Sequence, residues 1–102
     1  MAFAGADAFA VAVEAHQEVE AARASIERAR VLRTNVGALV RSGLRPGADE
    51  ARAQAEVALA ETQLARAEQA ESVSLAQLAR ALGAAGQPVT VSLAGEPQVV
   101  QR

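Results

Sequence analysis

The sequence predicts an all-α fold, a long antiparallel, alanine-rich helical hairpin with coiled-coil-like pairing and a short irregular or β-like C-terminal tail. Three observations carry that expectation. No proline occurs between Asp7 and Ser42, or between Ala48 and Leu82. Apolar residues recur through both stretches at spacings of three and four, the period of one helix face. Between them lies "SGLRPGAD", Ser42 to Asp49, with two of the seven glycines and one of the three prolines.

The first helix is expected over about residues 7–42. Phe9, Val13, His16, Val19, Ala22, Ile26, Ala29, Val36 and Val40 mark its apolar face. Glu14, Glu18 and Glu20 lie towards its start and Arg28, Arg30, Arg33 and Arg41 towards its end, the order that complements a helix dipole. Gly37 costs about 1 kcal/mol relative to alanine inside a helix, which makes it the natural place to bend, but the pattern continues past it.

The tip is expected at 43–47. Gly43 suits the left-handed residue that ends a helix, with Leu44 folding back over the last turn. Pro46 suits a first helical position, and Asp49 an acidic helix start. The second helix is expected over about residues 48–82, opened by Asp49 and Glu50 and stopped by Gly83, Gly86 and Pro88. Residues 1–86 thus form the hairpin and 87–102 the tail. Residues 89–93, within "PVTVSL", alternate as a strand does, and a lone strand calls for a sheet completed by sequence outside this chain.

Folding back around Arg45 pairs residues whose numbers sum to about 90. Phe9 then meets Leu82, Val13 meets Leu78, His16 meets Leu75, Ile26 meets Leu64, Leu32 meets Leu59 and Val36 meets Ala55. Apolar residues find apolar partners, as antiparallel neighbours joined by a short loop should. Ala21, Ala24, Ala38, Ala58, Ala65, Ala76 and Ala79 fall off that seam and offer second packing faces.

Composition bounds the function. Hydrophobic residues make up 51% of the chain but aromatics only 2%, so helix propensity is strong and the private core thin. All ten basic residues are arginine and interleave with glutamates at a net charge of −2, which excludes the uncompensated basic face of a nucleic-acid binder. There is no cysteine, hence no disulfide or thiolate chemistry. No run approaches the roughly 20 apolar residues of a membrane span, and the N-terminus lacks a signal peptide's basic region.

Catalytic chemistry is not expected. His16 is the only histidine, with just Glu20 at ligand spacing, so it reads as a packed residue beside Leu75 and no metal site is assigned. The serines lack a nucleophile motif and a nearby base. The glycines at 43 and 47 make no phosphate loop, because the chain has no lysine. No catalytic residue, cofactor or enzymatic activity follows.

One stretch carries more. "RSGLRPGADEARAQAEVALAETQLARAEQAESVSLAQLARALG", residues 41–83, resembles the TolC-type outer membrane efflux protein family. The likeness lies in the glycine-leucine turn, the aspartate that follows it, the alanine-spaced returning helix and the closing "LG". "AFAVAVEAHQEVEAARASIERARVLRTNVGALV" is similar to the family's incoming helix, and the resemblance covers residues 3–86. It implies one helical hairpin of a homotrimeric conduit in the outer membrane and periplasm, whose tips meet a periplasmic adaptor protein and, through it, an inner-membrane pump. By position, Ser42, Gly43 and Leu44 fall on the adaptor-docking tip, and Asp49 on the aspartate that helps close the entrance. Ser42 stands where the family often has valine. The implied mechanism is passive conduction through a gated mouth. With no second hairpin or membrane strands the chain reads as a fragment, most like the first of the family's two repeats.

Two other readings compete. A periplasmic adaptor's own α-hairpin also turns through "SG", but Asn35 and Pro46 stand where that family's arginine and serine belong when Leu39 is aligned to its leucine. A self-standing coiled-coil interaction protein is the other, although heptad order reads as loose and charges are not confined to edge positions.

Overall fold

The computed structural model describes residues 4–84, 89–93 and 96–100, with side chains over 6–84. Helix α1 spans Ala4–Arg41 and helix α2 spans Gly47–Ala84, so the fold is an all-α hairpin. Asp7 lies in the first turn of α1 and Arg41 in its last, while Asp49 and Glu50 open α2. Each charge opposes the partial charge of the helix end it occupies. Helix α1 runs through Gly37 without interruption.

The chain divides into two compact units. One unites α1 up to Val19 with α2 from Ala67 onward. Its core is the cluster Ala12, Leu78 and Ala79, against which Ala8, Leu75 and Leu82 pack. Val19 is its one large side chain with no exposure at all. Burying such a side chain stabilises by about 1.5 kcal/mol; the alanines beside it add much less.

The other unit comprises residues 20–66 and contains the turn. Ile26 and Val36 of α1 and Ala53, Val57 and Ala60 of α2 are its buried apolar residues. They form a narrow seam in which a bulky side chain alternates with a small one.

The seam is more regular than the sequence reading expected. Along α2 the positions 53, 57, 60, 64, 67, 71, 74 and 78 alternate by four and three, and every one is buried or half-buried. Along α1 the same holds for 8, 12, 15, 19, 22, 26, 29, 36 and 40, with exposed Arg33 filling the one gap. An unbroken average spacing of 3.5 is the coiled-coil repeat. The order reads as loose only if alanine is not counted as a core residue. Counting it, Ala8, Ala15, Ala22 and Ala29 hold one seven-residue column of α1, and Ala53, Ala60 and Ala67 one of α2.

Two proposed pairings fail for the same reason. Phe9, Leu32 and Leu59 are 54%, 52% and 53% exposed, so neither Phe9–Leu82 nor Leu32–Leu59 is a buried seam pair. Heptad spacing, not side-chain size, decides which residues enter the seam. Ala21, Ala24, Ala38, Ala58, Ala65 and Ala76 are exposed, as off-seam residues must be. Ala79 does not belong with them, because it sits in the cluster with Ala12 and Leu78.

Strands β1 (Val89–Leu93) and β2 (Glu96–Val100) follow the helices and pair antiparallel, with Val89 opposite Val100 and Leu93 opposite Glu96. The strand expected to lack a partner therefore finds one within the chain. Among the described residues no helix is long and apolar enough to cross a membrane.

Candidate functional site

The residues singled out by sequence all lie in or beside the turn. Helix α1 ends there in a complete C-cap. Gly43 has φ of 78°, in the left-handed region where a Cβ is strained. Its amide donates to the Val40 carbonyl at 3.0 Å, and the Leu44 amide donates to the Leu39 carbonyl at 2.9 Å. Those are the paired bonds of a Schellman motif, which satisfy carbonyls that a helix end leaves unpaired.

Ser42 completes the cap. Its amide donates to Ala38 O at 3.1 Å, and its hydroxyl donates to the carbonyls of Ala38 and Leu39, both at 3.1 Å. Serine at this position thus has a local structural task that a side chain without a hydroxyl could not perform.

Leu44 departs from expectation. It does not cover the last turn of α1 but stands 74% exposed, the most exposed large apolar side chain among the described residues. Hydrogen bonds from the backbone and from the Ser42 hydroxyl hold the cap. The leucine is left facing outward on a backbone that they fix in place.

The opposite wall is the start of α2. The Asp49 amide donates to Pro46 O at 3.0 Å, closing the first turn. Arg45 Nη1 donates to Asp49 Oδ2 at 3.4 Å, with the two side chains 51% and 27% exposed. The aspartate is therefore already engaged within its own chain. Its partner Arg45 was missed in the sequence, although a separation of four residues is the spacing at which such pairs meet. This pair helps to line a half-open groove of about 150 Å³, together with Leu32, Val36, Ala53 and Arg52.

Gly37 explains itself through Glu50. A Cβ built on Gly37 would lie 2.9 Å from Glu50 Oε2 and 3.4 Å from Arg41 Nη1. The end of a flexible carboxylate side chain from α2 lies where that Cβ would go, and α1 continues through the glycine without a break.

The remaining chemical candidate lies in the other unit. His16 Nδ1 is 2.7 Å from Glu71 Oε2, with side chains 20% and 18% exposed. A carboxylate only accepts, so Nδ1 carries the donated proton. The side chain that His16 meets across the hairpin through a hydrogen bond is thus Glu71, one turn of α2 before the Leu75 expected opposite it. Among the described residues no group of three or more His, Asp or Glu side chains could hold a metal.

The chain was compared with protein-family models, curated proteins and solved structures. No match was found in any of the three. What the turn offers is therefore argued from its own geometry: a preformed, outward-facing apolar knob flanked by paired charges.

Proposed function

We propose that the chain is one hairpin of a TolC-type outer membrane efflux conduit, with Ser42, Gly43 and Leu44 docking a periplasmic adaptor protein. In this reading Asp49 contributes to closing the entrance, and three copies of the parent protein surround the path for the exported solute. The supporting sequence is the turn and returning helix of residues 41–83. The observation that carries the proposal is Leu44, 74% exposed on a turn whose backbone is held by its own hydrogen bonds. An exposed leucine on a fixed loop loses little conformational freedom when it enters a partner's pocket. Paired Arg45 and Asp49 beside it would set orientation more than affinity.

A photo-crosslinker placed at position 44 of the complete reading frame tests the idea in cells. Capture of a periplasmic adaptor, lost on Gly43→Trp and accompanied by failed solute export on Leu44→Ser, is the expected result. Export and capture that survive both changes would sink the docking assignment.

A second reading has its own support. The seam between α1 and α2 closes within the chain, so a self-standing coiled-coil hairpin is chemically reasonable. A monomeric 102-residue chain that melts in one sharp transition would favour it over a conduit hairpin.

A further inference from the structure

We infer that the His16–Glu71 tie selects which helices may pair, favouring α1 against α2 and penalising α2 against a second copy of α2. Apolar packing leaves that choice open. Alanine recurs every seven residues on both helices, at 8, 15, 22 and 29 on α1 and at 53, 60 and 67 on α2. Small residues facing small residues pack alike whichever helices bring them together.

Charge does not leave it open. In the seven-residue column Glu50, Val57, Leu64, Glu71, Leu78 of α2, Glu71 is the acid away from the turn, and it is only 18% exposed. Its hydrogen-bonding partner, the His16 imidazole at 2.7 Å, comes from α1, in the flanking column that continues with Arg23 and Arg30. Helix α2 offers no substitute. Its seam positions 53 to 78 hold no basic residue, and neither do the columns on either side, 54, 61, 68, 75 and 49, 56, 63, 70, 77. In an α2–α2 pair Glu71 would be a carboxylate removed from water with no counter-charge, which is strongly disfavoured. A slip of seven residues in one direction fares no better, since it sets Glu71 against Phe9 in place of His16.

The other helix-to-helix ion pair described cannot do this. Arg30 Nη2 and Glu61 Oε2 are 3.5 Å apart with side chains 48% and 54% exposed, and a solvated pair of that kind discriminates weakly. A polar residue at one seam position is the established way a coiled coil trades stability for a defined partner.

The test is the association state of the full 102-residue chain by sedimentation, with helicity followed in parallel. Glu71→Leu should remain helical and shift the ratio of single to associated chains roughly tenfold toward association. Glu56→Leu, which adds the same side chain in an α2 flanking column, should not. The proposal is overturned if Glu71→Leu sediments like the parent chain, if Glu56→Leu associates as strongly, or if Glu71→Leu unfolds, which would make the tie a stability contact alone.

Discussion

The amide of Leu44 donates to the carbonyl of Leu39 at 2.9 Å, yet the two leucines do not close over each other, because Leu44 remains 74% exposed. In many helix ends of this type that hydrophobic contact accompanies the hydrogen bonds. Here the bonds stand alone. Stability and exposure at the turn are thus carried by different atoms, and substitutions should separate them.

Gly43→Ala should destabilise the chain by about 1 kcal/mol, the cost of holding an L-residue in the left-handed region. Nothing lies within 4 Å of the added Cβ, so backbone strain is the whole effect. Asn at position 43, which tolerates that region better, should recover part of the loss. Urea unfolding followed by circular dichroism measures both.

Leu44→Ser should change stability by less than about 0.5 kcal/mol, as expected of an exposed side chain. A loss much larger than that would mean the leucine covers the helix end in solution after all.

Gly37→Ala should be tolerated and even stabilising, by about 0.5 kcal/mol. Alanine recovers about 1 kcal/mol of helix propensity, and the atoms in the way are the ends of flexible Glu50 and Arg41 side chains. Adding Glu50→Ala should release the rest of the gain. A clear destabilisation by the single change would show that the Glu50 carboxylate is held more firmly than its length implies.

Asp49→Asn should cost about 0.5 kcal/mol at low salt and less as salt rises. It removes a first-turn carboxylate from α2 and the exposed partner of Arg45, and both effects are screened. Thermal unfolding of parent and variant across a salt series reads it directly.

Val19→Ala should cost about 2 kcal/mol, since Val19 has no exposed surface and truncating a fully buried side chain leaves a cavity. Leu32→Ala, at 52% exposure, should cost much less despite removing more carbon. Equal losses would mean that the seam lies elsewhere on α1.

Much of this was legible in the residues. The two helices follow from proline placement and the recurrence of three and four, and the turn from Gly43 and Pro46. The C-cap itself could be read in advance, because only glycine enters the left-handed region cheaply. What misled was hydrophobic size. Phe9, Leu32 and Leu59 drew the register towards themselves, while the alanine columns that run down the seam look like mere helix formers. Glu71 left one faint trace: it interrupts the apolar run Val57, Leu64, Leu78 in its column of α2. Gly37 left none, since an acid thirteen residues ahead gives no sign that it needs the space.

Local chemistry by itself determined the hairpin, its turn and the polarity of its helix ends, because propensity, capping and helix dipoles act within a few residues. The tertiary structure decided which face of each helix is the seam, that Leu44 points outward, and that His16 meets Glu71. Those outcomes depend on how near two helix surfaces come. In a seam built from alanine, that distance is set by what is absent from the side chains, which a search for large apolar residues passes over.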